Sequence, residues 1–313
     1  MDGVVVIDKP AGRTSHDVVS EVKRIMGARK AGHTGTLDPM ATGVLPVCLD
    51  EATKLAGFFS DERKEYLATM RLGIKTDTLD TEGRITGTSD KRVTEEEVRG
   101  ALLKMVGKIS QVPPAYSAVK YQGEPLYKWA RRGVFVEKAA RNVEIYEIAV
   151  FPVSLPDVTF KVSCSKGTYI RTLCSDVGEN LGCGACLSKL RRLKSGFFSE
   201  EMAVSLDNGG RTNKKEELQK KILSMASTLP SLASLEITNE AAEKLLAGFQ
   251  PSAAMMKSHV LPFLEAGDVI KLTNSGGCLV AIIEMLVATR SLPELEDKCQ
   301  AARIVRVFNN WQN

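Results

Sequence analysis

A run of glycine and proline between residues 30 and 43 is the feature that most restricts how this chain can fold. The run contains Gly32, Gly35, Pro39 and Gly43, which interrupt both helical and strand patterns. This composition is typical of an ordered loop, and binding and catalytic residues lie disproportionately on such loops. We therefore expect this loop to carry the functional site.

One carboxylate, Asp38, stands among these small residues, in the stretch 32–45. Glycine allows positive φ angles and a close approach of ligands, and Pro39 biases Asp38 away from helical angles. These neighbours predict that Asp38 is presented on a rigid loop. The spacing alone leaves an ordinary Asp-Pro turn equally open.

The loop is preceded by a predicted strand and helix. Residues 4–7 are β-branched and read as a buried strand. Thr14 or Ser15 is a candidate N-cap, and apolar residues recur at helical spacing from Val18 until Gly27 ends the pattern. The chain should thus run from a strand through a helix into the loop.

Further patterns predict a mixed α+β domain. Residues 64–72 alternate and predict a strand, and Thr94 with Glu97 forms a capping box that predicts a helix ending at Gly107. Two strands, 144–151 and 157–164, flank a proline turn, and apolar residues 173, 177 and 181 predict a helix that closes at Gly182.

The length of 313 residues suggests two domains. The predicted break is at residues 207–210, followed by a charged and polar stretch to about residue 230. Beyond it, residues 239–248 predict a short helix, and residues 268–272, 278–286 and 303–308 predict strands. The second domain should therefore be small and β-rich.

Composition excludes several classes of protein. No run of 18 or more apolar residues is present, and the first residues lack a basic stretch followed by an apolar one. Seven cysteines are too few and odd in number for a disulfide scaffold. We expect a cytoplasmic protein, and the net charge of +4 does not by itself identify a partner.

Six segments resemble, in order, the motifs of the TruB family of tRNA pseudouridine synthases. They are residues 8–12 with 14–17, 32–45, 64–68, 113–120 with Gly123 and 126–127, 164–173, and 181–185 through 190–193. The resemblance extends over roughly residues 1–205. It implies an α+β pseudouridine synthase fold with a mixed, largely antiparallel central sheet, followed by a small β-rich PUA-like domain.

The resemblance also implies a reaction, the conversion of the T-loop uridine at position 55 of tRNA to pseudouridine. The bond from ribose C1′ to N1 of the base breaks, the base rotates, and a bond to C5 forms. Asp38 is the implied catalytic residue. A carboxylate can stabilise or capture positive charge at C1′, add to C6, or take a proton from the sugar, and the sequence does not choose among these. Each role needs an ionised Asp38, whose pKa burial would raise unless a cation lies nearby.

Arg171 is the implied partner of Asp38, since arginine stays charged and can contact a carboxylate with two nitrogens. Without the resemblance it reads as a surface arginine at a helix start. Tyr66 resembles the aromatic residue that stacks on the flipped uracil, although a tyrosine on a strand is more often a packing residue.

Other matched positions surround the reacting base. Tyr169 and Leu190 correspond to residues that line the pocket, and His33 to the histidine that occupies or supports the vacated stacking position. Extruding a base costs a few kcal/mol, and apolar walls would recover part of that cost. Lys9 and Pro10 match a motif that we interpret as supporting the loop from behind.

Local basic stretches suggest an RNA-binding surface. The basic segment, residues 120–141, interleaves aromatic residues with cations that include Lys120, Lys128, Arg131 and Arg132. A second stretch, 181–194, contains Lys189, Arg191 and Arg192 and no acid. A solvated face explains either stretch equally well. The resemblance implies an insertion over about residues 85–140 that contacts the T-arm of tRNA.

The implied domains are residues 1–230, catalytic with a linker at 207–230, and 231–313, RNA-binding. No cofactor, metal, membrane or obligate protein partner is implied. Cys183 and Cys186 form a C-x-x-C pair, but structural zinc usually requires two such pairs. A glycosidase would usually need a second carboxylate near Asp38. A non-catalytic RNA-binding protein would not need Asp38 at a surface that faces phosphate.

Overall fold

The computed structural model describes residues 2–60, 62–136, 138–206 and 211–309. The predicted break at residues 207–210 lies outside the described residues. Within them, no helix is long and apolar enough to span a membrane. The chain forms one large mixed sheet with helices packed against it and a second, smaller sheet near the C terminus.

Fourteen strands and six helices precede the C-terminal sheet in the described part of the chain. The strands are β1 (Gly3–Lys9), β2 (Ala31–His33), β3 (Thr42–Leu49), β4 (Lys64–Leu72), β5 (Ile74–Thr76), β6 (Ile85–Thr88), β7 (Gly107–Gln111), β8 (Lys120–Tyr121), β9 (Glu124–Pro125), β10 (Arg141–Val150), β11 (Asp157–Cys164), β12 (Ala185–Ser195), β13 (Phe198–Ser199) and β14 (Val204–Ser205). The helices are α1 (Ser15–Met26), α2 (Ala56–Ser60), α3 (Glu95–Leu103), α4 (Leu126–Arg131), α5 (Ile170–Leu181) and α6 (Arg211–Lys220).

The large sheet has the order β14-β1-β3-β12-β4-β11-β10-β7, with β2 added to β3 and β13 to β12. In the described part of the chain, β1 pairs with β14 and β3 with β12 in parallel, and the other pairs of this sheet are antiparallel. The predicted fold class, a mixed and largely antiparallel sheet with flanking helices, is therefore confirmed.

Helix α1 shows why local signals were sufficient in the first part of the chain. Thr14 caps its N terminus through a capping box with Asp17, and Gly27 ends it with a φ angle of 67°. Val18 and Val22 point into the main core, which they share with the inward face of the sheet and with α5. The predicted helix and both of its ends are confirmed.

One sequence prediction needs correction. The helix after Thr94 ends at Leu103, because the chain turns there and Gly107 begins β7. Within the stretch predicted as an insertion, residues 85–140, Val98 and Leu102 pack into the main core and β7 pairs with β10. Within the predicted linker, residues 211–220 form α6.

The C-terminal region forms a four-stranded sheet in the order β15-β16-β17-β18. Its elements are β15 (Ser234–Glu236), α7 (Asn239–Leu246), α8 (Ala253–Lys257), β16 (Val269–Thr273), β17 (Leu279–Met285) and β18 (Ala302–Val307). Three predicted strands and one predicted helix are confirmed to within two residues at each end. The region packs on the outer face of β1 and β3, where Val4, Val44 and Cys48 share an apolar cluster with Ile282 and Phe308.

Candidate active site

Lys9 fixes the loop that carries Asp38. Its side chain is fully buried at the end of β1, and its ammonium group donates hydrogen bonds to the carbonyl oxygens of Pro10 at 2.9 Å, Pro39 at 3.0 Å and Ala41 at 2.6 Å. Two of these acceptors lie one and three residues after Asp38 in the sequence. The ammonium group therefore holds the backbone on the C-terminal side of the carboxylate.

Ser15 holds the other side of the loop. Its hydroxyl group accepts a hydrogen bond from the Leu37 amide at 2.9 Å and donates one to the Leu37 carbonyl at 3.0 Å. Ser15 is the first residue of α1 and is 2% exposed. With Lys9 on one side and Ser15 on the other, the backbone around Asp38 is fixed by buried contacts, as a rigid loop requires.

Asp38 and Arg171 form a two-point ion pair. The Arg171 Nη2 donates a hydrogen bond to Asp38 Oδ1 at 3.0 Å, and its Nε lies 2.9 Å from Oδ2. The Arg171 side chain is 4% exposed, whereas 31% of the Asp38 side chain remains accessible. The carboxylate is therefore held from the protein side and open on the other.

Arg171 is held by three further oxygens. It donates hydrogen bonds to the carbonyls of Thr78 at 2.9 Å and Tyr116 at 2.8 Å, and its Nη1 lies 3.7 Å from Asp80 Oδ2. Asp80 is buried and accepts a hydrogen bond from the Thr78 hydroxyl at 2.6 Å. The guanidinium thus lies between two carboxylates. Sequence reasoning missed Asp80, because no local pattern brings it next to Arg171.

Opposing influences act on the ionisation of Asp38. Burial raises the pKa of Asp38, and the negative charge of Asp80 adds to the shift, while Arg171 and Lys9 oppose it. Burial lowers the pKa of Lys9 to about 8, although the charge of Asp38 works in the other direction. The hydrogen bond and the positive charge of Arg171 favour the charged carboxylate. The site therefore combines a partly accessible carboxylate, whose pKa is raised by burial and held back by two cations, with a Lys9 that is mostly protonated at neutral pH.

Tyr66, Tyr169 and Leu190 come from three different elements. Tyr66 lies on β4, and burial raises the pKa of its hydroxyl group. Leu190 lies on β12 opposite Ala68 and is 7% exposed. Tyr169 precedes α5, where its backbone amide donates a hydrogen bond to the Gln111 side chain at 3.0 Å. The negative charge of Asp38 raises the pKa of both tyrosine hydroxyl groups, so both lie within electrostatic range of the carboxylate.

His33 is the last residue of β2, at the entry to the loop. Its Nδ1 is buried and has no hydrogen-bond partner among the described residues. Burial lowers the pKa of His33, and the positive charge of Arg192 lowers it further. The ring is therefore neutral at physiological pH.

The second basic stretch is not the surface that the sequence predicted. It forms β12, along which side chains alternate between the two faces of the sheet. Arg192 faces inward and is 1% exposed, so its assignment to an RNA-binding surface was wrong. Arg191 faces outward but contacts Asp8 at 3.0 Å and pairs with Glu200. Lys189 remains exposed.

The basic segment keeps its cations at the surface. Arg132 lies over the Trp129 ring at 4.4 Å, and Lys138 lies over the Tyr121 ring at 4.7 Å. Glu124 accepts a hydrogen bond from Arg132 at 2.6 Å. The other predicted contact residues of this segment, Lys120, Lys128 and Arg131, are exposed. Residues 120–132 form a small hairpin and α4 outside the large sheet.

Lys9, Asp38, Asp80, Arg171 and Arg192 are here called the site network. In the described part of the chain, no group of three or more His, Cys, Asp or Glu side chains has the arrangement of a metal site. Cys183 and Cys186 are both buried.

Comparison with known proteins gives consistent matches along the chain. The N-terminal domain of the TruB family pseudouridylate synthases matches residues 23–170, and the tRNA pseudouridylate synthase B C-terminal domain matches residues 171–230. The tRNA pseudouridine synthase B of Syntrophus aciditrophicus (strain SB) is 49% identical over 310 residues, covering 99% of each chain. That of Geobacter sulfurreducens is 42% identical over 310 residues, covering 99% of this chain and 100% of the relative.

Solved structures show the same fold. An archaeal box H/ACA sRNP Nop10-Cbf5 complex contains a chain that is 28% identical, with a TM-score of 0.74 that covers 99% of this chain and 88% of the other. A chain from a Cbf5-Nop10-Gar1 complex is 29% identical, with a TM-score of 0.72 and coverage of 99% and 86%.

Proposed function

Because the chain belongs to the TruB family, whose members isomerise uridine to pseudouridine in tRNA, we propose that it modifies the T-loop uridine at position 55 and that Asp38 is its catalytic residue. The observation that carries the proposal is the ion pair between Asp38 and a buried Arg171, in which the carboxylate remains partly accessible to solvent. An ionised carboxylate in a partly water-excluded cleft can act on the anomeric carbon, the base or the sugar.

The overall reaction is an isomerisation and needs no external oxidant or reductant. The C1′–N1 bond breaks, the uracil rotates, and a C1′–C5 bond forms; N1 gains a proton and C5 loses one. Each of the three roles open to Asp38 requires its ionised form. Arg171 fixes the orientation of its two oxygens and limits the rise in its pKa.

We assign the walls of the pocket to Tyr66, Tyr169 and Leu190. Tyr66 on β4 and Tyr169 before α5 lie within electrostatic range of Asp38, and Leu190 lies opposite Ala68 in the pairing of β12 with β4. A uridine must leave its stack to reach the cleft, at a cost of a few kcal/mol, and aromatic and apolar contacts offset part of that cost. His33, at the entry of the loop, supports the flipped nucleotide.

For the tRNA we assign a contact surface to the basic segment, with Lys120, Lys128, Arg131 and Arg132, and to Lys189 and Arg191 on β12. Cations that lie over aromatic rings can contact phosphates while the rings stack on unpaired bases. We assign residues 1–230 to the catalytic domain and 231–313 to a PUA-like RNA-binding domain. We also propose that the enzyme acts in the cytoplasm without an obligate protein partner, since one chain supplies the whole site network.

The test uses one unmodified tRNA transcript and the full chain. We expect pseudouridine at position 55 with the wild-type protein and a loss of product of more than about 1,000-fold with Asp38→Asn, which removes the charge at constant shape. Asp77→Asn, a half-buried carboxylate outside the network, is the matched control. Product at another position, or equal product from Asp38→Asn, would overturn the proposal.

A further inference from the structure

Arg192 places a buried positive charge behind the Asp38 loop. Its side chain is 1% exposed. Its Nε donates a hydrogen bond to the Val44 carbonyl at 2.7 Å, and its Nη2 donates one to the Gly35 carbonyl at 3.1 Å. These two acceptors flank the loop on opposite sides of Asp38, and they fix the plane of the guanidinium group.

The third partner of this guanidinium is Tyr66. Tyr66 lies directly opposite Arg192 in the antiparallel pairing of β4 and β12, so the two side chains lie on the same face of the sheet. Burial lowers the pKa of Arg192, and the interactions that oppose this shift come from the Tyr66 hydroxyl group rather than from a carboxylate. Among the described residues, Tyr66 is therefore the side chain that interacts favourably with this charge, and it is the proposed base-stacking residue.

The backbone around Arg192 leaves little freedom for another arrangement. Gly43 pairs with Arg192 in the short parallel contact between β3 and β12 and has a φ angle of 99°. A Cβ atom at position 43 would collide with the Arg192 carbonyl oxygen. The close approach of these strands fixes the position of the Arg192 backbone, and the two carbonyl acceptors fix the position of its guanidinium group.

Burying the Arg192 guanidinium group without a carboxylate partner is unfavourable for folding. Removing an arginine from water costs several kcal/mol, and apolar packing in its place is often neutral or stabilising. A leucine or methionine on β12 would avoid that cost but would leave the Val44 and Gly35 carbonyls without their donor. It would also give the Tyr66 hydroxyl group, on the opposite strand, no polar partner that could fix the plane and depth of the ring.

We infer that Arg192 is a positioning residue that acts on the isomerisation through Tyr66. The inference rests on the proposed function, in which the Tyr66 ring contacts the uracil. A base that is detached from C1′ and rotates must stay within bonding distance, so a fixed ring raises the rate at which C5 meets C1′. Because Arg192 is buried, it contacts no phosphate and does not contribute to tRNA affinity.

The test is a double-mutant cycle on the full chain with Arg192→Lys, Tyr66→Phe and the two together. A lysine can reach the loop carbonyls but cannot also reach Tyr66, because it lacks the planar fork of arginine. We expect Arg192→Lys to lower the single-turnover rate about 10- to 100-fold in the wild-type background. In the Tyr66→Phe background the further loss should be less than about threefold. The tRNA Kd should stay within about twofold of the wild-type value.

Arg71→Lys is the matched control. Arg71 lies on β4, next to β12 in the sheet. Its guanidinium donates hydrogen bonds to Asp157 at 2.9 and 2.7 Å and none to the Asp38 loop. The Arg71→Lys substitution should leave the rate unchanged. If Arg192→Lys does not fold, as judged by its Tm, Arg192→Gln carries the same cycle without a buried charge.

Three outcomes would overturn the inference. The first is an equal loss of rate in both backgrounds, which would mean that Arg192 acts independently of Tyr66. The second is a loss confined to tRNA Kd, and the third is failure of both Arg192 variants to fold, which would make the residue purely structural. Failure of the proposed function is distinguished beforehand, because wild-type protein would then give no product at position 55.

Discussion

The site network and the basic segment both contain lysine and arginine, but in different environments. In the network, Lys9, Arg171 and Arg192 are 0%, 4% and 1% exposed. Carbonyl oxygens accept hydrogen bonds from each of them at 2.6 to 3.1 Å. In the basic segment, Arg132 and Lys138 lie over aromatic rings and face solvent.

This difference predicts that the buried cations affect the reaction rate and the exposed cations affect tRNA affinity. Interactions between buried charges are screened weakly, so each acts strongly on its neighbour and on the pKa of Asp38. Exposed charges are screened by salt and contribute to binding in proportion to the phosphates they contact. Substitutions in the network should therefore change the rate of the reaction, and substitutions in the basic segment should change tRNA affinity.

Asp80→Asn gives the largest expected effect in this comparison. The amide keeps the shape and can still accept hydrogen bonds, but it removes a negative charge 3.7 Å from Arg171. Because Asp80 raises the pKa of Asp38, its loss lowers that pKa and makes the ionised Asp38 a weaker base and nucleophile. Arg171 also loses one of the groups that hold it in place. We expect the single-turnover rate to fall about 10- to 100-fold, with tRNA Kd unchanged.

The pH profile gives an independent readout of the same change. The acid limb of the rate, which reports protonation of Asp38, should move to lower pH in Asp80→Asn. Asp77→Asn, which lies in the same connection and whose carboxylate accepts a hydrogen bond from the Arg84 amide at 2.8 Å, should leave the limb in place. A shift of the limb to higher pH, or a loss only of affinity, would contradict this account of Asp80.

Local signals predicted several of the longer elements correctly, but they did not predict the central strands β3 and β12 or the network. Caps such as Thr14 and Gly27 act on neighbouring residues, so the sequence shows them directly. Strand β11 and the C-terminal strands have alternating or continuous apolar patterns. By contrast, Asp38, Asp80 and Arg171 meet only after the β2–β3 loop, the β5–β6 connection and α5 have come together, and no spacing in the sequence encodes that contact.

Strand β12 was not recognised in the sequence because a charged residue occupies one of its buried positions. Lys189, Arg191, Arg192 and Lys194 read as a solvated basic stretch, because an inward position is occupied by arginine instead of an apolar residue. The parallel contact with β3 and the buried carbonyl acceptors make that position possible. The same residue that obscured the strand is the one we infer to position Tyr66.

Lys9 offers an intermediate effect with a defined pH dependence. Its pKa of about 8 lies below the unfolded value of 10.5, so it loses its proton as the pH rises through about 8. The neutral amine has two N–H donors for three carbonyl acceptors and no longer offsets the charge of Asp38. We expect the wild-type rate to fall above pH 8 and Lys9→Met to be about 10-fold slower at pH 7.

The shape of the profile identifies the group. Lys9→Met should show no alkaline limb between pH 7 and 9, because the variant carries nothing that titrates at this position. The sign for stability is opposite: the folded state binds fewer protons than the unfolded state between about pH 8 and 10.5, so the contribution of Lys9 to stability rises with pH there. An unchanged alkaline limb in Lys9→Met would assign it to another group.

The smallest expected effect comes from the basic segment and tests the other half of the comparison. The double substitution Lys128→Ala with Arg131→Ala removes two exposed cations, and each lost phosphate contact should lower the slope of log Kd against log salt by about 1. We expect tRNA Kd to rise about 3- to 10-fold at low salt, with the rate at saturating tRNA unchanged.

The control for net charge is the double substitution Lys23→Ala with Arg24→Ala, which removes two exposed cations at the end of α1. If the double variant instead loses rate at saturating tRNA with an unchanged salt slope, the basic segment acts on the site through the Tyr116 carbonyl that contacts Arg171, and the separation of chemistry from affinity is wrong.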